Sequence, residues 1–351
     1  MRHVITGGSG FVGARLAATL AARGERVVIF DMVPPASTSG AFIPGDVRED
    51  DNFRKLDLNA NDVVYHLAAR QFHGIVPKTD RDAWFADVNV VGTRNLLAAM
   101  ARGGARRLVF FSTDMTYGRP TCSPVPTTHP QVPLGPYGRS KLAAERLIRE
   151  AMERQALSAS IFRPRLIAGA GRLGIFAKLF GLIGRNLPVP MIGSGANRYQ
   201  MIAVEDCVSA ALRAVEKGLP PGPFNLGSDA PPTVRMLLGE VIQRAGSRSV
   251  LLPTPATVVQ RVLAALDRVG LTLLYPEQFA IANLDYLLDT TQTRQTLGWV
   301  PARRDGDIVF DAYWSFRSAG RAPIARVAFP PGKQAVPRYA TGITPKEEAE
   351  P

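Results

Sequence analysis

Tyr137 and Lys141 stand four residues apart in the run Tyr137-Gly138-Arg139-Ser140-Lys141, directly after Pro136. On a helix that spacing puts both side chains on one face, and a proline suits the first helical position. A free phenol titrates near pH ~10, too high for a base at neutral pH. A neighbouring ammonium favours the phenolate. The pair is therefore suited to taking a hydroxyl proton and giving it back. The spacing alone arises often by chance, so it gains weight only beside a cofactor site.

Such a site is written at the N-terminus. Thr6-Gly7-Gly8-Ser9-Gly10-Phe11-Val12-Gly13 satisfies G-x-x-G-x-x-G through Gly7, Gly10 and Gly13, and G-x-G-x-x-G through Gly8, Gly10 and Gly13. One glycine serves a tight turn, another lets backbone approach a pyrophosphate, and a third lets strand and helix pack closely. The helix that follows offers free N–H groups and the positive end of its dipole to phosphates. Asp31 lies 18 residues past Gly13. Its carboxylate can accept both hydroxyls of an adenosine ribose and would repel a 2′-phosphate, which favours NAD over NADP. With a nicotinamide in place, Lys141 can also hold its ribose, and the positive ring adds to the pull on the phenolate.

These residues need particular elements to carry them. Val4 to Thr6 reads as a buried strand, Gly13 to Arg23 as a helix ended by Gly24, and Arg26 to Phe30 as a second strand ending at Asp31. Further on, Val63 to Leu67, Arg107 to Ser112 and Ser158 to Arg163 read as strands; Val88 to Arg102 and Tyr137 to Gln155 read as helices. Alternation of this kind predicts an α/β fold, a doubly wound parallel sheet covered on both faces. After about residue 168 glycine and proline become frequent, with helical stretches at 173–186, 204–217, 233–246 and 254–268. The expected organisation is a nucleotide-binding domain over 1–168 and a smaller mixed substrate-binding portion over 169–328, some elements of which return to the sheet. A disordered tail is expected over 329–351, rich in Pro, Lys and Glu.

Composition excludes several classes. The chain has 351 residues, 46% of them hydrophobic and 21% charged, enough for a sizeable core. Two cysteines, Cys122 and Cys207, cannot make a disulfide framework or a metal site by themselves. The N-terminus lacks the apolar stretch and cleavage site of a signal peptide, and no apolar run is long enough to span a bilayer. A reducing, cytoplasmic setting with no metal is expected. The net charge of +12 is scattered rather than gathered into a basic block with aromatics, so nucleic acid is not an expected partner. A peripheral contact with an anionic membrane stays open.

With the glycine turn, Asp31 and the Tyr/Lys pair in place, the chain resembles the extended short-chain dehydrogenase/reductase family, the NAD-dependent epimerase/dehydratase group, from about residue 2 to residue 300. Further marks carry the resemblance: Asp46-Val47, His66-Leu67-Ala68-Ala69, Asn89-Val90-Val91-Gly92-Thr93, Phe111-Ser112-Thr113-Asp114-Met115-Thr116-Tyr117-Gly118, Arg163-Pro164, Val204-Glu205-Asp206 and Phe224-Asn225-Leu226-Gly227. It implies a Rossmann-type sheet and NAD lined by Gly7, Gly10, Phe11, Val12, Gly13, Asp31, Asp46, Val47, Leu67, Ala68, Ala69, Asn89, Ser112, Tyr137, Lys141 and Pro164. It implies catalysis by Tyr137 and Lys141 with Thr113, whose hydroxyl would steer the reacting oxygen toward Tyr137. It also implies a homodimer, common among similar proteins.

Within that family the outcome stays open between a sugar-type epimerase or oxidoreductase and a dehydrogenase of a hydrophobic alcohol similar to 3β-hydroxysteroid dehydrogenases. An NAD-binding sensor without turnover is disfavoured by the intact Tyr/Lys pair. Sugar-nucleotide dehydratases resemble this chain at Thr113-Asp114 but follow with Glu, where Met115 cannot act as a base. Two residues that face a nucleotide diphosphate in such relatives, an Asn and an Arg, are replaced by Leu166 and by Tyr199 with Arg198 beside it. Arg165, Arg172, Arg185 and Arg198 read either as solvated charges or as contacts to an anion. The apolar stretch 173–183 reads as a helix packed on the core or a partner, or as a greasy lid or membrane-facing patch.

Overall fold

The computed structural model describes residues 1–319 apart from 73–75, 173–175, 269–271 and 273; the expected tail, 329–351, lies outside them. In chain order the strands are β1 (Arg2–Thr6), β2 (Arg26–Asp31), β3 (Ala41–Pro44), β4 (Asp62–His66), β5 (Arg107–Phe111), β6 (Ser158–Pro164), β7 (Leu166–Ala168), β8 (Val189–Ile192), β9 (Met201–Ala203), β10 (Phe224–Leu226) and β11 (Leu251–Thr254). The helices are α1 (Phe11–Ala22), α2 (Arg81–Ala86), α3 (Gly92–Gly103), α4 (Pro136–Gln155), α5 (Ala177–Ile183), α6 (Val204–Glu216), α7 (Val234–Arg244), α8 (Ala256–Arg268), α9 (Pro276–Phe279), α10 (Thr291–Leu297) and α11 (Asp305–Ala319). A π turn, Asp87–Val91, joins α2 to α3.

Seven strands form one parallel sheet in the order β10-β6-β5-β4-β1-β2-β3. The strands read as unbroken apolar runs because both faces are covered. Neighbours along a strand point to opposite faces. Ile5, Ile29, Tyr65 and Val109 pack with Leu16 and Leu20 of α1 and Val208 and Ala211 of α6. Val4, Phe30, Val64 and Phe110 pack on the other side with Leu96 and Met100 of α3 and Ala144 and Ile148 of α4. The expected doubly wound α/β sheet is what the chain forms. Its edge strand β10 comes from beyond residue 168, as a returning element.

The later residues build a separate core in which Phe180, Val189, Met201, Leu238, Val241, Ile308 and Tyr313 meet. Two parallel pairs, β7 with β9 and β8 with β11, belong to this part. The helix expected over 173–186 is described only as α5; 173–175 lie outside the described residues. The sequence reading passed over β3, a half-exposed strand at the sheet edge, and α2, α10 and α11.

One buried ion pair fastens α4 to the sheet. Arg163 on β6 is 1% exposed, and its Nη2 and Nε reach Glu145 Oε2 and Oε1 at 2.6 and 2.9 Å. Ser112 Oγ donates to the same carboxylate at 2.5 Å. Burial alone would raise the Glu145 pKa, but these hydrogen bonds hold it below its ordinary value. Arg163→Met leaves that buried carboxylate without its buried cation, with only the part-exposed Arg149, 2.7 Å from Oε2, to offset it. The expected loss is about 3–5 kcal/mol of unfolding free energy, read from urea denaturation. A loss under about 1 kcal/mol, the worth of a surface pair, would show that the pair does not fasten the helix.

Candidate active site

The glycine turn leaves β1 and enters α1. Gly7 has φ +72°, and a Cβ there would lie 2.5 Å from the Ala68 nitrogen. At Gly13 a Cβ would lie 2.3 Å from the Gly7 oxygen. Both are therefore close approaches of backbone to backbone that any side chain would break. Gly10 sits at the N-cap, and no side chain caps α1. Its first-turn N–H groups, on Phe11, Val12 and Gly13, face an anion-binding position. Asp31, at the end of β2, accepts the Ser9 N–H at 3.0 Å and the Val33 N–H at 3.3 Å, which aims its carboxylate beside the turn. These features fit a dinucleotide.

The strand ends beyond the turn complete the edge. The Leu67 N–H donates to Thr6 O at 3.0 Å, carrying the pairing one residue past β4. Leu67, Ala68 and Ala69 are half-buried there. Val47 is buried, and Gly92 lies so close that a Cβ would meet Val47 Cγ2 at 2.7 Å. His66 is held between Thr6 Oγ1 at 2.7 Å and Thr93 Oγ1 at 3.0 Å. Burial, helped by the Lys141 charge, pulls its pKa down to about 3, so it is neutral.

Three expected cofactor residues spend their side chains within the protein. Asn89, 1% exposed, accepts the Arg70 N–H at 2.8 Å and donates to Arg70 O and to Ser140 Oγ at 3.1 and 2.9 Å. Its amide ties the loop after β4 to α4. The Ser112 hydroxyl is bound to Glu145, so only its backbone can line the groove. Asp46 is gripped by Arg48 through Nε and Nη2, at 2.8 and 2.5 Å from Oδ2.

The structure brings Thr113, Tyr137 and Lys141 together at the C-terminal edge. Gly135 caps α4 and Pro136 opens it, which places Tyr137 in the first turn and Lys141 one turn on. Tyr137 is 5% exposed and lies near Thr113, whose own hydroxyl donates to Asp114 Oδ1 at 3.1 Å and accepts the Met115 N–H at 3.2 Å. Burial pushes the phenol well above its ordinary value; the Arg172 charge and the Thr113 hydrogen bond pull it back, while Asp114 and Glu277 push it further up. Lys141 is 3% exposed, with Nζ 4.1 Å from the Phe110 ring centre. Burial brings it down to about 7, against the opposing pull of Glu145. A lysine poised near neutrality can hold or pass a proton at Nζ.

Around this triad lie further groups, of which Glu277, Phe72 and Tyr275 have no local signal in the sequence. Glu277 on α9, 4% exposed, faces the start of the catalytic helix from 140 residues away in sequence, so close that a Cβ on Gly135 would lie 2.4 Å from its carboxyl carbon, and its Oε2 is buried without a hydrogen-bond partner. Phe72 stands edge-on to Tyr137 at 5.3 Å and stacks on Tyr275 at 4.7 Å. With Phe85, Trp84 and Met115 they make an apolar wall. Asp114 pairs with Arg165 at 2.5 Å, both buried. The Arg165 guanidinium lies between the rings of Tyr199 and Tyr286, at 4.6 and 4.3 Å. Arg172, one of the arginines weighed as an anion contact, turns toward the groove. Arg198 is half-exposed and pairs with Asp285 at 3.5 Å. Among the described residues no cluster suits a metal, and no helix is long and apolar enough to cross a membrane.

A dinucleotide turn on a doubly wound sheet with a Tyr/Lys/Thr group at its edge defines a nicotinamide-dependent oxidoreductase class. A family model described as the NAD dependent epimerase/dehydratase family matches residues 3–227, and the chain belongs to that family of enzymes. A UDP-glucose 4-epimerase of Rhizobium leguminosarum bv. trifolii is 30% identical over 342 residues, 90% of this chain and 97% of the relative. An uncharacterized protein of Sinorhizobium fredii is 31% identical over 328 residues, 92% of this chain and 80% of the relative. The UDP-glucose 4-epimerase of Thermotoga maritima, solved with UDP-glucose, has a TM-score of 0.72 at 24% identity, covering 91% of this chain and 99% of its own. The fold is thus that of these epimerases.

The Glu277 carboxyl is raised from 4.5 to about 7, chiefly by burial. The folded chain therefore keeps a proton that the unfolded chain releases across this window, and stability falls as pH rises through it. Glu277→Gln removes that term. The variant should gain in Tm relative to the native chain from about pH 5 to about pH 7 and then hold a constant difference. A difference that does not change with pH, in a thermal-melt series, would refute the shifted carboxyl.

Proposed function

We propose that the chain binds NAD and interconverts a secondary alcohol and a ketone on a nucleotide-sugar-type substrate, as an epimerase or oxidoreductase. The observation that carries this is the meeting of Tyr137, Thr113 and Lys141 at the sheet edge beside the uncapped start of α1. Family membership and the epimerase relatives support it. In this reading Gly7, Gly10 and Gly13 admit the diphosphate to the N–H groups of Phe11 and Val12, and Asp31 takes the ribose hydroxyls. Val47, Leu67, Ala68, Ala69 and Pro164 line the groove. Bound NAD supplies the hydride acceptor and, in an epimerase, the donor to the opposite face.

The chain's own residues handle the proton. Thr113 holds the reacting oxygen next to Tyr137. The phenolate of Tyr137 takes the hydroxyl proton as the ketone forms and returns it when the ketone is reduced. Lys141 holds the nicotinamide ribose and favours the phenolate. Tyr137→Phe keeps the ring that packs on Phe72 and removes the proton carrier. Turnover is expected to fall by about a hundredfold or more, with NAD affinity by fluorescence titration little changed. Turnover within about twofold of the native rate would end this assignment.

A second reading, a dehydrogenase of a hydrophobic alcohol, is favoured by the wall of Phe72, Phe85, Met115 and Tyr275 beside Tyr137 and by Leu166 and Tyr199 where nucleotide-sugar enzymes place polar contacts. Thermal shift separates the two. A ligand at 100 times its Kd stabilises the fold by about 2.7 kcal/mol, so UDP- or GDP-sugars should raise Tm and sterols or long-chain alcohols should not. The reverse pattern would replace the first reading by the second.

A further inference from the structure

Arg172 follows β7 and reaches back across the C-terminal edge of the sheet. Its Nη2 donates to Gln71 Oε1 at 2.7 Å, and its Cζ lies 5.3 Å from the centre of the Phe11 ring. Phe11 opens α1, and Gln71 stands just past Leu67, Ala68 and Ala69. The guanidinium therefore lies between the two chain segments that frame the dinucleotide groove. It is also close enough to Tyr137 for each to act on the other's ionisation.

Its partners are unusual for a partly buried cation. Arg163 and Arg165, the deeply buried arginines of this region, each hold a carboxylate, Glu145 at 2.6 Å and Asp114 at 2.5 Å. Arg172 holds a neutral amide and an aromatic face. Among the described residues no carboxylate pairs with it. Withdrawing a guanidinium from water without an anion is costly. The anion-binding feature beside it is the uncapped start of α1.

We propose that Arg172 is a cofactor-binding residue that closes over the diphosphate of the dinucleotide from the substrate side, opposite the N–H groups of α1. The proposal rests on the NAD reading given above. The diphosphate would then be neutralised from two sides, by a helix dipole below and by a guanidinium above, which can form a bidentate contact with phosphate oxygens. The substrate-side segment that carries Arg172 would thereby be tied to cofactor occupancy.

The test is calorimetric binding of NAD, ADP-ribose and AMP to the full chain and to Arg172→Met and Arg172→Lys. ADP-ribose keeps the diphosphate and lacks the nicotinamide; AMP keeps the adenosine and lacks the diphosphate. Arg172→Met should weaken NAD and ADP-ribose alike by about tenfold to a hundredfold, the worth of a charged hydrogen bond, and Arg172→Lys should recover part of it. AMP affinity should stay unchanged, which also shows that the variant is folded. Unchanged NAD and ADP-ribose affinities would overturn the proposal. So would a loss confined to NAD, which places the residue at the nicotinamide, or an equal loss for AMP, which makes it a support of the whole groove. A native chain that binds neither NAD nor ADP-ribose would overturn the cofactor reading together with this one.

Discussion

Helix α4 is held at three heights by groups that have exchanged water for protein partners. Glu277 packs its carboxyl against the helix start at Gly135, Asn89 bonds Ser140 a turn later, and Glu145 binds Ser112 and Arg163 beyond that. Each anchor comes from a different part of the chain: α9, the turn before α3, and the strand ends of β5 and β6. A buried polar group left without its partner costs more than its bond is worth in water. The three anchors therefore select one position for the helix, and with it one position for Tyr137 and Lys141.

That position sets the electrostatics. The phenol and the ammonium both lose water, and desolvation acts on them in opposite directions: it raises Tyr137 and lowers Lys141 to about 7. The two groups are thereby driven apart: burial keeps the phenol protonated and lets the ammonium give up its proton near neutrality. Arg172 contributes a charge on Tyr137 that does not titrate at these pH values, since a guanidinium stays protonated. The neutral His66 behind Lys141 adds no competing charge.

The sheet and the cofactor edge were legible because their requirements are local. A backbone approach of the kind at Gly7 and Gly13 admits only glycine, so the turn shows in seven residues of sequence. The buried strands show as apolar runs, and Tyr137 with Lys141 shows as a helical spacing. Glu277 obeys no spacing: it acts on backbone groups brought near only by the completed fold, and it sits in a four-residue helix with no pattern of its own. β3 was passed over because a half-exposed edge strand lacks the apolar run of the others. α11 does carry Ile308, Val309, Ala312 and Tyr313 at helical spacing, and a closer count of that period would have found it.

One departure from the family pattern, Tyr199, meets Asp114 and Arg165 in space. Asp114, Arg165 and Tyr199 form one buried group, the ion pair lying against the Tyr199 ring and closed by Tyr286, whose hydroxyl donates to Asp114 O at 3.0 Å. Asp114 is held in a structural pair by Arg165, and Met115 offers no carboxylate beside it. Moving a hydroxyl proton asks nothing of either residue. Tyr199 packs on the guanidinium that holds Asp114.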